Sequence, residues 1–78
     1  MSELRDFLEH QIEICSKEIV ELTKLKNNYL KFAYTETRNG RMKKIDFHHL
    51  MNEVQNVALQ IAKIEETISD YNKHLNAF

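Results

Sequence analysis

Stepping alternately by three and four residues from Phe47 meets Phe47, Leu50, Val54, Val57, Ile61, Ile64, Ile68, Tyr71, Leu75 and Phe78, and all ten positions are apolar or aromatic. A 3.5-residue period kept up for this long belongs to a continuous helix that buries one narrow seam against a neighbour. The residues between these positions are mostly polar, among them Glu53, Gln60, Lys63, Glu66 and Asp70. Asp46 stands just before the seam, where a carboxylate can accept a bond from a free amide of the first turn. The pattern therefore predicts a helix over about 47–76 with Asp46 as its cap.

The first half of the chain is helical in a different dress. Ser2 is a possible cap, and Glu3 and Asp6 suit the positive end of a helix dipole. A core stripe runs through Leu4, Leu8, Ile12, Cys15, Ile19, Leu22, Lys26, Tyr29 and Ala33. Beside it lies a second stripe of Phe7, Ile14, Leu25 and Phe32, interrupted by Gln11 and Glu18. Together the two stripes cover an arc of roughly 160°, more than a helix with a single neighbour needs. Helix 1 is expected over about 3–36, with helix 2 on one side and a further neighbour on the other.

Between them, about 37–45, lies Thr37-Arg38-Asn39-Gly40-Arg41-Met42-Lys43-Lys44-Ile45, and Asn39-Gly40 is its one strong turn signal. Two forms compete. Gly40 can end helix 1 in a left-handed conformation and lead into a short loop. Alternatively, Asn39-Gly40 can close a β-ribbon that pairs Arg38 with Arg41, Glu36 with Lys43 and Tyr34 with Ile45. The loop is favoured, because an isolated two-stranded hairpin is marginal in water and Arg38 would face Arg41.

Folding at this turn sets residues whose numbers sum to about 80 side by side, so that apolar meets apolar along both segments. The fold class is all-α: a long antiparallel helical hairpin forming a single unit over residues 1–78. One glycine and no proline in the chain suit long helices. Two helices of this length bury little more than the entropy of ordering them consumes. The single cysteine, Cys15, offers no internal disulfide. Association is the remaining source of stability. Two hairpins packed through the second stripe would make a four-helix bundle, as a homodimer or with a helical protein partner.

The chemistry-bearing residues point away from catalysis. There is no Gly-rich phosphate loop, no Ser/His/Asp or Cys/His arrangement and no inward pair of carboxylates, so no enzyme activity, cofactor or small-molecule substrate is expected. Asp6/His10 and Asp70/His74 are carboxylate–imidazole pairs at helical spacing, brought to one end by the hairpin. They diverge from one another, and no metal site is expected. His48 and His49 face different directions in the first turn of helix 2. Cys15 sits on the core stripe as a small hydrophobe with nothing cationic to activate it. Lys26 interrupts the seam, either paired with Glu53 to fix register or extended along its stem to water.

Charge is polarised. The segment 38–44 holds Arg38, Arg41, Lys43 and Lys44 with no acid, while the rest of the chain carries seven Lys or Arg against twelve Asp or Glu. Such a tip can bind anions, but four cations are few for the phosphate contacts of a nucleic-acid complex, and no stacking aromatic is interleaved. No apolar run approaches a membrane span, and the first residues lack a secretory leader, so a cytoplasmic protein is expected. The function these features favour is a non-catalytic protein–protein interaction module, such as a small adaptor, chaperone-like binder or inhibitor. It would work through Phe7, Ile14, Glu18, Leu25 and Phe32 of helix 1. The alternative is a nucleic-acid-binding regulator that uses the basic tip.

Overall fold

The computed structural model describes residues 2–77, with the backbone alone at Ser2. Two helices pack against each other: α1, Ser2–Arg38, and α2, Lys44–Leu75. The molecule is a rod with principal extents of 60 × 14 × 12 Å. Its radius of gyration of 17.6 Å is far above the roughly 11.5 Å of a compact chain of this length.

The seam of α2 lies where its period places it. Val57 is buried and Phe47, Leu50, Val54, Ile61, Ile64, Ile68, Tyr71 and Leu75 are half-buried, whereas of the other described α2 residues only Met51 is not exposed. Phe78, the tenth position, is outside the described residues, and so is the capping role expected of the Ser2 side chain. On α1, Leu8 and Ala33 are buried and Ile12, Cys15, Ile19, Leu22, Lys26 and Tyr29 are half-buried. Leu4 departs from this stripe at 56% exposure. It stands at the open end of the hairpin, where its antiparallel partner would fall beyond Leu75, the last residue of α2. Ala33 is fully covered, and its methyl group lets the helices approach closely just below the turn.

The turn takes the loop form. Residues 34–38 continue α1, so neither strand of the alternative ribbon exists. Gly40 adopts φ 69°, its amide donates to the Thr37 carbonyl at 3.1 Å, and the Arg41 amide donates to the Glu36 carbonyl at 2.9 Å. These two bonds are the Schellman pattern, in which a left-handed residue just past the helix lets the next two amides satisfy free carbonyls of the last turn.

The start of α2 differs from expectation. Its cap is Lys43, extended at φ −74° and ψ 153° with no side-chain bond, and Asp46 lies inside the first turn. The reversal after Gly40 needs only Arg41 to Lys43 before helix resumes, so α2 begins before the acid is reached. There the carboxylate favours the helix dipole without acting as a cap.

Candidate functional site

The residues of the second α1 stripe are left uncovered, forming the one apolar line among the described exposed large hydrophobic residues of α1. Phe7 and Phe32 are 55% and 56% exposed, Ile14 38% and Leu25 40%. They follow one another at separations of 7, 11 and 7 residues, which are two, three and two helical turns, so they form one line along α1. The two phenylalanines would each bury a large apolar area if a partner covered them. Glu18 is exposed and Gln11 half-buried, both beside this line on the side toward α2.

Grooves between the stripe and α2 extend the apolar surface. Ile14 and Leu22 face Ile64 across one groove, with Glu18 and Gln60 at its rim toward α2 and Lys17 and Glu21 at its outer edge. Nearer the turn, Phe32, Met42 and Leu50 line a second, edged by Asp46 and Glu53. At the open end, Leu4 and Leu8 share a third with Tyr71, His74 and Ala77. Met42 is thus the residue of the connecting segment that packs, half-buried in the second groove, while Ile45 stays 63% exposed. Tyr34, 58% exposed, also fails to pack, although Phe47 does.

The charged residues around the stripe are paired along the helix rather than across it. Arg5 bonds Glu9 at 3.2 Å, Lys17 meets Glu13 at 3.4 Å and Lys24 meets Glu21 at 3.7 Å, all on exposed side chains. Exposed pairs of this kind contribute only a few tenths of a kcal/mol each. The Lys26–Glu53 pair considered from sequence is not formed among the described residues. Lys26 takes the other course, a half-buried stem along the seam.

At the tip, Arg41 is occupied. Its Nε donates to Glu36 Oε2 at 2.7 Å and its Nη2 to Glu36 Oε1 at 3.1 Å. The hydrogen bond from Arg41, reinforced by its charge, holds the Glu36 carboxyl below its ordinary range, and the same pairing raises the guanidinium. An acid from α1 is therefore folded back against the basic segment, and Arg38, Lys43 and Lys44 remain exposed without a carboxylate partner among the described residues. Spacing gave no hint of this pair, because five residues is not a helical repeat and only the Schellman reversal brings the two together.

Asp6, His10, Asp70 and His74 are all exposed. Among the described residues no three His, Cys, Asp or Glu side chains gather where they could hold one metal ion. Cys15 is a free thiol, half-buried on the seam. No described helix is long and apolar enough to cross a membrane. No protein-family model matches the chain, and no curated protein or solved structure matches it.

Proposed function

We propose that the chain is a non-catalytic protein–protein interaction module that presents the apolar face of α1 to a helical surface. The observation that carries this reading is the line of Phe7, Ile14, Leu25 and Phe32 along one face of α1, each at least 38% exposed, whereas the other exposed large hydrophobic residues, Leu4, Val20, Tyr34, Ile45 and Leu59, are scattered over both helices. A soluble chain rarely keeps so long an apolar stripe unless something occupies it. The thin core supports the same view. Leu8, Ala33 and Val57 are the described hydrophobic residues that become buried within one hairpin, so a covered stripe would add much of the stability that the hairpin lacks. A four-helix bundle is the arrangement that covers it with the fewest new elements.

The basic tip supports a nucleic-acid role less well, since Arg41 is engaged by Glu36 and three cations remain unpaired there. Salt separates the two readings. Binding driven by phosphate contacts weakens steeply with ionic strength, and binding driven by apolar burial does not. The test compares complexes formed by the wild type, by Ile14→Glu with Leu25→Glu, and by Arg38→Ser with Lys43→Ser and Lys44→Ser, at 0.1 and 1 M salt, concentrations of roughly ten- and three-ångström screening length. The proposal expects binding that survives high salt, survives the tip variant and is lost in the stripe variant. Binding that survives the stripe variant but disappears with salt or with the tip cations contradicts it.

A further inference from the structure

The uncovered line on α1 has an internal symmetry that narrows what can occupy it. Its 7–11–7 spacing reads the same from either end. The numbers of Phe7 and Phe32 sum to 39, and so do those of Ile14 and Leu25. A twofold axis between Ile19 and Val20, perpendicular to the helix, would therefore place Phe7 on the partner's Phe32 and Ile14 on the partner's Leu25, simultaneously at all four positions. A symmetric dimer must use one self-complementary patch on both copies, and this stripe meets that requirement in the antiparallel direction. Parallel docking would match each residue with its own copy whatever the spacing, so the palindromic spacing singles out the antiparallel direction.

The flank provides a second, independent observation. Lys17 and Glu21 lie on the side of the stripe away from α2, and their numbers sum to 38, within one residue of the same register. In an antiparallel twofold pair, residues on one side of the seam face the same side of the partner. Lys17 would then face the partner's Glu21, and Glu21 the partner's Lys17, so charge is complementary about the same axis. Both side chains are exposed and free to turn, each held by no more than one surface ion pair.

The surface area agrees. The hairpin exposes 6135 Å², whereas a compact monomer of 9.3 kDa exposes about 5,000 Å². The excess, about 1,100 Å², exceeds the roughly 800 Å² that each partner buries in a standard interface.

We propose that the occupant of the stripe is a second copy of this chain, its α1 antiparallel, in the register that sets Phe7 against the partner's Phe32 and Ile14 against the partner's Leu25. This rests on the reading of the α1 face as an interaction face and names its partner. The grooves beside the stripe give the incoming side chains somewhere to go. Leu25 of the partner subunit enters the groove of Ile14, Leu22 and Ile64, and Phe7 of the partner subunit enters that of Phe32, Met42 and Leu50.

Cysteine trapping in a Cys15→Ser background reads the register. Ile14→Cys together with Leu25→Cys should form a covalent dimer with a short bis-maleimide at least tenfold more efficiently than either single variant. In each single variant the like cysteines lie 11 residues apart along the axis, roughly 16 Å. Because these changes thin the stripe, His10→Cys together with Asn28→Cys, exposed positions on the outer flank whose numbers sum to 38, serves as a second pair that leaves the stripe whole and should show the same preference, since its like cysteines lie at least 17 residues apart along the axis. Circular dichroism confirms that each variant keeps its helices. Single variants that cross-link as well as the doubles overturn the antiparallel register. A wild-type chain that sediments as a monomer at high micromolar concentration overturns the self-association itself. The wider reading fails separately, if replacing Ile14 and Leu25 by Glu leaves every complex of the protein intact.

Discussion

Arg41 is tied to Glu36 twice, through its guanidinium at 2.7 and 3.1 Å and through its backbone amide at 2.9 Å. In the Schellman pattern a contact between these two positions is commonly apolar. Here an ion pair takes that place, and it closes the α1 terminus at the point where the chain reverses. Because Glu36 has a depressed carboxyl, its contribution is fully present above the ordinary carboxylate range and is lost as pH falls through the lowered value. The protection of the Gly40 and Arg41 amides, relative to their intrinsic exchange rate at each pH, should therefore fall as the solution is acidified beyond normal carboxylate titration. Glu36→Gln should remove that dependence at neutral pH. Arg38→Ser, Lys43→Ser and Lys44→Ser should leave exchange at these amides unchanged, because those cations touch nothing at the terminus. Equal protection in wild type and Glu36→Gln across the acid range would show that the ion pair contributes nothing.

Gly40 is required for its backbone alone. A Cβ added there would meet nothing within 4 Å, yet φ is 69°. Gly40→Ala should destabilise the hairpin by about 1–2 kcal/mol through the left-handed conformation, and Gly40→Asn by less. Urea unfolding followed by circular dichroism measures both, and an alanine variant as stable as wild type would contradict the turn geometry.

Val57 and Ile64 test the seam. Val57 is 5% exposed and Ile64 half-buried. Val57→Asp or Ile64→Asp would place a carboxylate between the helices at a cost of several kcal/mol, enough to unfold a marginal domain. Val57→Ile, which keeps the apolar character, should cost under about 1.5 kcal/mol if the extra methylene is accommodated. Aspartate variants with unchanged helicity and melting would refute the packing.

What could be read from the chain and what could not divides along physical lines. The faces of both helices were legible because a 3.5-residue period determines which side chains share a side, and the exposed stripe of Phe7, Ile14, Leu25 and Phe32 was legible for the same reason. Leu4 was misread because periodicity says nothing about where the opposite helix ends. The start of α2 was misplaced because Asp46 looks like a cap, whereas the observed cap, Lys43, carries no side-chain signature. Met42 packs, and Arg41 pairs with Glu36, because of the three-dimensional path of the reversal and not of any repeat, so neither was legible from spacing.

Glu18 carries a prediction of the opposite sign to most substitutions. In the antiparallel register its carboxylate lies about one turn, roughly 4.5 Å along the axis, from the same residue of the partner. Like charges at that distance oppose association. Glu18→Gln should tighten self-association about threefold or more at low salt, with the gain shrinking as salt screens the pair. Sedimentation at several ionic strengths measures it, and a weakened dimer would mean that Glu18 meets a cation instead.

Sedimentation equilibrium of the wild type against Ile14→Glu with Leu25→Glu tests the central claim, that the exposed face of α1 is an association surface. Both variant positions lie outside the seam, so the hairpin itself should remain helical. The account predicts a wild-type dimer at micromolar concentration that persists in high salt, and a monomeric double variant with the same circular dichroism spectrum. A wild type that remains monomeric, or a double variant that associates as strongly as wild type, would contradict it.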